Sequence, residues 1–324
     1  AYLSVAPMMD WTDRHCRYLH RLLSRRVRLY TEMVTAPALV RGGATHLFRF
    51  DPTEHPVALQ LGGSDPGELA EAAAMAEAEG YDEINLNVGC PSDRVQSGTF
   101  GAVLMKSPAL VADCLLAMRQ AVSVPVTVKC RIGVDDQDPA VVLPDFLDHV
   151  RGAGINEVAI HARKAWLDGL SPKENREVPP LDYDLVLAMK DRFSDLSIWI
   201  NGGIGSLEQA QSFLARGLDG VMIGRAAYQT PWDTLGTADQ VIWGEASPFA
   251  SPDEAVRAIV PYIDAHLAEG GGLHAVTRHM LGLFFGRPGA RAWRRHLSEN
   301  AHKDGANSDV VLAALDLIEA RRAA

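Results

Sequence analysis

Four cysteines, Cys16, Cys90, Cys114 and Cys130, are all that the 324-residue chain carries, and no two of them form a Cys-x-x-Cys pair. Their wide, irregular spacing excludes a zinc-knuckle type of site and a disulfide framework, so reduced thiols and no bound metal are expected. Long apolar runs are missing too. No stretch of about 18 apolar residues occurs, and residues 1–10 lack the basic start and apolar core of a signal peptide. A cytoplasmic protein without a membrane contact is expected. Positive charge is also scarce. Lys and Arg number 31 against 41 Asp and Glu, for a net charge of −10, which excludes a basic coat and leaves nucleic-acid binding to local clusters. One cluster stands out: Arg278, Arg287, Arg291, Arg294, Arg295 and Lys303 share a segment in which Glu299 is the acidic residue. From charge alone, a solvated helix face explains it equally well.

What is present is an alternation of short β-branched or apolar runs with helical stretches, the pattern of repeated βα units around a parallel sheet. Candidate strands fall at 3–6, 29–31, 57–61, 84–88, 126–130, 158–161, 198–200 and 220–223. Helical patterns at 66–79 and 108–121 open with Pro at a first-turn position, and another spans 207–216. Eight units in about 235 residues fit a (β/α)8 TIM barrel better than an open doubly wound sheet. After Pro231 the rhythm stops. A Ser-, Pro- and Gly-rich stretch at 236–251 reads as a linker, and 252–324 reads as an all-helical bundle. There Val256, Ile259, Val260, Ile263 and Leu267 mark one helix face and Val311, Leu315 and Ile318 another.

In such a barrel the chemistry is expected at the C-terminal ends of the strands. Those ends carry Met8 and Met9, Glu32, Gln60, Asn87 and Cys90, Lys129, His161, Asn201-Gly202-Gly203 and Gly224-Arg225. Singly, each is more often a satisfied structural residue; so many strand ends in register are harder to explain that way. Gly202, Gly203 and Gly224 lie where the loops after strands seven and eight commonly build a phosphate site, and Arg225 can neutralise an anion there. Lys129 and His161 supply charge and hydrogen bonds, and Gln60 offers both a donor and an acceptor to a ring edge, which suits a flavin. A Schiff-base role for Lys129 is the alternative at that position. Cys90, on a strand-end loop ahead of Pro91 and before the long segment 92–106, is placed to meet substrate. An ordinary thiol is mainly protonated at neutral pH, so it can act as an acid.

Five motifs together resemble one family. They are Ala6-Pro7-Met8-Met9-Asp10-Trp11-Thr12-Asp13; Asn87-Val88-Gly89-Cys90-Pro91 with 98–105 after it; Lys129-Cys130-Arg131-Ile132-Gly133; His161-Ala162-Arg163; and Asn201-Gly202-Gly203-Ile204. They resemble the tRNA-dihydrouridine synthases. The segment 170–181 is similar to that of the A-type bacterial subfamily, which modifies positions 20 and 20a of the D-loop. The resemblance implies FMN held by Pro7, Met8, Met9, Gln60, Lys129, His161, Asn201, Gly202, Gly203, Gly224 and Arg225, with NADPH as reductant and Cys90 as the proton donor to C5 after hydride reaches C6. It implies tRNA contacts at Gly89, Lys173, Arg176, Arg291 and Arg294, which draws the basic segment toward RNA. The target uridine must be flipped out of its stack to reach a barrel mouth. Asn87 and Arg163 are the candidates for its edge, because an amide pairs with an imide and a guanidinium polarises a carbonyl. A monomer is expected of a protein that wraps a tRNA. Two rival readings remain open at this point: a small-molecule flavin enzyme of the dihydroorotate dehydrogenase type, which has no need of arginines on an appended bundle, and an RNA-binding protein with a vestigial flavin site.

Overall fold

The computed structural model describes residues 2–92 and 100–323. Among them, eight strands form one parallel sheet: β1 (Leu3–Val5), β2 (Leu29–Thr35), β3 (Val57–Gly62), β4 (Glu83–Val88), β5 (Val126–Arg131), β6 (Glu157–His161), β7 (Ser197–Asn201) and β8 (Gly220–Ile223). Their order is β1-β8-β7-β6-β5-β4-β3-β2. The two ends of this order meet at Arg28, where the Val5 amide donates to the Arg28 carbonyl at 3.0 Å and the Arg28 amide donates to the Leu3 carbonyl at 3.0 Å. The sheet thereby closes on itself as a barrel, with helices following the strands.

Two-residue alternation decides what faces where. Leu59 and Leu61, Ile84, Leu86 and Val88, Val126 and Val128, Ile198 and Ile200 are all buried and form the face that packs on the helices. The alternate residues turn inward. At the floor of the barrel Tyr30, Ala58, Ala159, Trp199 and Met222 form one apolar cluster. Trp199 fills it because Gly220 beside it has no side chain; a Cβ there would lie 2.1 Å from the indole. Beside this cluster, from Glu83 upward, other inward residues are polar, in contrast to the branched apolar layers usual in such barrels. Two of the helices begin at aspartates that cap their free amides in the same way: Asp65 accepts from the Glu68 amide at 2.8 Å, and Asp182 from the Leu185 amide at 2.9 Å.

The described residues divide into two compact units. The first comprises Ala1–Met9, Arg28–Ile204 and Glu208–Gly224, and holds the strands; the second comprises Asp10–Val27, Gly205–Leu207 and Arg225–Ala324. In the second unit the helix Arg14–Leu23 is tied to later segments. Asp13 pairs with Arg278 at 2.5 Å and lies 2.9 Å from His279, and Asp239 accepts from the Arg25 amide at 2.8 Å. The helices Pro252–Ala268, Ala290–Asn300 and Asp309–Ala323 bury Ile259 and Ile263, Trp293 and Leu297, and Val311, Leu315 and Ile318. No helix among the described residues is long and apolar enough to cross a membrane.

Two local expectations need correction. β2 does not end at residue 31: it continues to Thr35 with a register shift between Tyr30 and Met33, so Glu32 lies at the irregularity and not at the strand end. Such a bulge lets a half-buried carboxylate interrupt an apolar run without ending the strand. The stretch 236–251 is not irregular throughout, because it contains the helix Ala238–Trp243. Gly244 closes that helix at φ 70°, so a glycine read as loop is a helix C-cap.

Candidate active site

Register across the barrel brings the inward residues of neighbouring strands side by side. Asn87 of β4 faces Lys129 of β5, Arg131 of β5 faces His161 of β6, and His161 faces Asn201 of β7. The Asn201 amide donates to the Met222 carbonyl of β8 at 2.8 Å. Gln60 of β3 accepts from Asn87 Nδ2 at 2.8 Å. One row of polar side chains therefore runs from β3 to β7 along the strand ends and bonds to the backbone of β8. The segment after β1 joins it, since a Cβ on Gly224 would lie 3.8 Å from the Ala6 Cβ and 3.9 Å from the Met8 Sδ. Pro7 and Met8 are half-buried there and Met9 is exposed, while Arg225 opens the helix Arg225–Gln229 next in the chain.

The charge in this row is unusual. Burial pushes the Lys129 ammonium down to about 8, and the neighbouring Arg131 guanidinium adds to the effect. Arg131 itself is pushed down to about 10, by burial first. His161 is held well below the ordinary imidazole range, by burial and then by Arg131, Lys129, Arg163 and Arg176, and so is neutral at pH 7. A row with two buried cations, Lys129 and Arg131, and no carboxylate among its described side chains suits an anion.

Gly202 and Gly203 have φ of 112° and 69°, a region that side chains rarely adopt. Space makes the same demand: a Cβ on Gly202 would meet His161 Cδ2 at 2.5 Å, and one on Gly203 would meet Leu181 Cδ1 at 2.7 Å. The Tyr183 hydroxyl donates to the Gly202 carbonyl at 2.7 Å. This backbone passes close under the loop that follows β6.

Cys90 is half-buried, whereas Cys16, Cys114 and Cys130 are buried; burial raises the thiols of Cys114 and Cys130 to about 12. The Cys90 amide donates to Asn87 Oδ1 at 2.9 Å, its carbonyl accepts from the Ala102 amide at 2.9 Å, and its thiol lies 3.5 Å from Ser92 Oγ. Residues 93–99 lie outside the described residues, so the segment 92–106 is described only at its two ends, where Gly101–Lys106 is a 3-10 turn. Asn87, expected at the uracil edge, uses Oδ1 for the Gly89 and Cys90 amides and one N–H for Gln60. Its second N–H is the capacity that remains. Arg163 turns toward the loop after β6, donating to the Pro179 carbonyl and, at 3.4 Å, to that of Glu177.

The sequence motifs passed over Arg131 and Asn175 as functional residues. Arg131 is buried and donates to the carbonyls of Gly89 at 3.1 Å, Lys164 at 3.3 Å and Asn175 at 2.9 Å. Asn175, fully buried, returns the hold: its side chain accepts from the Trp166 amide at 2.7 Å and donates to the carbonyl of Trp166 at 2.9 Å and of Leu170 at 3.1 Å. The two fix the loop on which Lys173 and Arg176 stand exposed. The available signal was a second cation two residues after Lys129 on a buried strand.

In the second unit, Arg291 and Arg294 are exposed on the helix Ala290–Asn300, opposite the buried Trp293 and Leu297. Arg278, Arg287 and Arg295 pair with Asp13, Asp233 and Glu299. Among the described residues no ion pair engages Arg291 or Arg294, and no group of His, Cys, Asp and Glu is arranged to hold a metal.

The family model described as dihydrouridine synthase matches residues 4–319. Relatives named tRNA-dihydrouridine(20/20a) synthase are similar over nearly the whole chain. The one from Escherichia coli (strain K12) is 60% identical over 320 residues, 98% of this chain and 92% of the relative. That from Salmonella typhimurium is 60% identical over 320 residues, 98% of this chain and 96% of the relative. That from Shewanella oneidensis is 58% identical over 316 residues, 98% of this chain and 93% of the relative.

Proposed function

Because the chain belongs to the dihydrouridine synthase family, we propose that it reduces the C5–C6 bond of uridine in tRNA, at positions 20 and 20a of the D-loop, with FMN as bound cofactor and NADPH as reductant. The observation that carries the reading is the identity of 58 to 60% with relatives of that printed name over 98% of the chain. A cytoplasmic reaction goes with it, since that is where tRNA is.

The residues present fit FMN. Gly202 and Gly203 leave room that any side chain would fill, which lets a phosphate approach the backbone, and Gly224 and Arg225 follow at the end of the next strand. Lys129 and the neutral His161 stand in the same row, suited to hold a flavin ring and to balance its negative charge. Pro7, Met8 and Met9 border it from β1, and Gln60 offers one N–H and one lone pair. When bound, FMN reduced by NADPH supplies the hydride that goes to C6.

The chain's own residues do the rest. A uridine within folded RNA reaches this row only when flipped out. Asn87 holds its edge through the remaining N–H, and Arg163 adds positive charge beside it. Cys90 gives its thiol proton to C5 from the face opposite the flavin. Gly89, Lys173 and Arg176 meet the RNA backbone at the barrel, and Arg291 and Arg294 meet it on the helical unit; the exposure and charge of Lys173, Arg176, Arg291 and Arg294 support this, whereas Gly89 is buried. Mass spectrometry of nucleosides from unmodified tRNA treated with protein, FMN and NADPH tests the proposal. Dihydrouridine at positions 20 and 20a is expected; absence of any hydrogenated uridine, with FMN bound and reducible, would overturn it.

A further inference from the structure

The inner face of β4 is polar along its whole length: Glu83, Asn85 and Asn87 alternate with Ile84, Leu86 and Val88. These side chains join two neighbours, Thr127 of β5 and Gln60 of β3, in one chain of hydrogen bonds. Thr127 Oγ1 donates to Glu83 Oε1 at 2.5 Å, Asn85 Nδ2 donates to Thr127 Oγ1 at 2.8 Å, and Gln60 Nε2 donates to Asn85 Oδ1 at 2.8 Å. Asn87 Nδ2 then donates to Gln60 Oε1 at 2.8 Å, and Asn87 Oδ1 accepts from the amides of Gly89 and Cys90. All five side chains are buried. The far end is anchored by Arg28 Nη1, 2.7 Å from Glu83 Oε2, and by the Tyr30 hydroxyl, which donates to Glu83 Oε1 at 2.7 Å.

A carboxamide has the same shape when its O and N are exchanged, so its orientation comes from its partners. Here both ends of the chain dictate it. The Glu83 carboxylate, facing Arg28, accepts, so Thr127 must donate to it and accept from Asn85, which must then present its oxygen to Gln60. From the other end, the backbone amides of Gly89 and Cys90 can only donate. Asn87 must therefore present its oxygen to them and its N–H to Gln60, which must turn its oxygen to Asn87 and its N–H to Asn85. The two constraints meet at Gln60 and agree.

We infer that Glu83 and Thr127 are positioning residues for the reaction: through Asn85, Gln60 and Asn87 they fix the backbone that carries Cys90. The consequence for turnover rests on the reading of Cys90 as the proton donor; the consequence for structure does not. A valine at 127 keeps the shape and removes the link, whereas a serine keeps the link. Polarity lost at Thr127 leaves Asn85 without its acceptor and frees the amides above it to turn.

Protein labelled with [15N]cysteine tests the structural half, because its four backbone amides can be assigned by single replacement. In Thr127→Val the Cys90 amide signal is expected to shift and its hydrogen exchange to quicken by about tenfold or more, with Cys16 and Cys114 unmoved; Thr127→Ser restores it. In the loaded enzyme, kcat for uridine reduction is expected to fall by about three- to tenfold in the valine variant with KM for tRNA unchanged, and to recover in the serine variant. If Thr127→Val does not fold, Thr127→Val with Asn85→Leu removes donor and acceptor together and breaks the same chain. A Cys90 amide and a kcat that stay at wild-type values in the broken variants overturn the inference. Failure of the wild-type protein to form dihydrouridine overturns the proposed function instead, and the amide signal still decides the positioning.

Discussion

The guanidinium of Arg131, at the end of β5, donates through Nη1 to the carbonyl of Asn175 at 2.9 Å and through Nε to that of Gly89 at 3.1 Å. One buried cation therefore ties the strand end that precedes Cys90 to the loop that bears Lys173 and Arg176. Its partners are neutral carbonyls, so its charge remains available to the site. Replacing it with methionine removes a fork of charged hydrogen bonds worth about 1.5–3 kcal/mol each. A fall in kcat/KM for tRNA of roughly ten- to a hundredfold is expected, with faster tryptic cleavage at Lys173 and Arg176. Arg131→Lys, which keeps the charge and loses the planar fork, should lie between. Unchanged cleavage and unchanged kcat/KM in Arg131→Met would refute the clamp.

Lys129 gives a pH dependence whose sign is fixed. Its ammonium titrates near 8 in the folded protein, lowered by burial first and Arg131 second. An anionic cofactor prefers the protonated form and raises this value on binding. FMN affinity should thus be flat from pH 7 to about 8 and weaken above it, by up to about tenfold per pH unit until the bound value is passed. Lys129→Met should bind more weakly and lose this dependence. Titration of flavin fluorescence between pH 7 and 9.5 measures both; a wild-type affinity that stays flat above pH 8 would count against contact between Lys129 and the cofactor.

The strand ladder was legible because β-branched runs recur at regular spacing; the glycine pair alone also reads as a tight turn, and its positive φ and the lack of room for a Cβ are seen only in the structure. Other features were hidden for physical reasons. Asn175 and Arg131 work through backbone carbonyls, which no side-chain pattern reveals. Glu83 starts a strand whose sequence signal begins at residue 84, since an acidic residue inside a barrel contradicts the usual apolar layers. Its partners, Arg28 and Thr127, are far away in sequence. The helix Arg14–Leu23 belongs to the second unit, and Asp13 ahead of it pairs with Arg278, 265 positions later, a separation beyond any local periodicity.

Cys90 is the half-buried thiol, and its backbone amide and carbonyl are both hydrogen-bonded, so its removal should change chemistry more than structure. Cys90→Ala is expected to bind FMN and accept hydride from NADPH, while uridine reduction falls by roughly two to four orders of magnitude, the usual worth of a positioned general acid. Cys90→Ser, a weaker acid at the same place, should recover little. Stopped-flow oxidation of the reduced protein by tRNA separates these steps. Full-rate oxidation in Cys90→Ala would assign the proton to another group.

Arg291 and Arg294 stand on one exposed face of the helix Ala290–Asn300, and among the described residues no acidic side chain pairs with either; Arg295 beside them is 2.8 Å from Glu299. A cation not already balanced by a carboxylate can displace a counterion from a phosphate. Arg291→Gln with Arg294→Gln should therefore raise KM for tRNA several-fold at about 0.1 M salt and reduce the slope of log affinity against log salt by roughly 1.5, at about 0.7–0.9 for each phosphate no longer neutralised. Arg295→Gln should do less, because its charge is already balanced. FMN reduction by NADPH involves no RNA and should keep its rate in both variants. If KM and salt slope in the double variant match those of the wild type, the basic segment is a solvated helix face and the RNA contacts of this enzyme lie elsewhere.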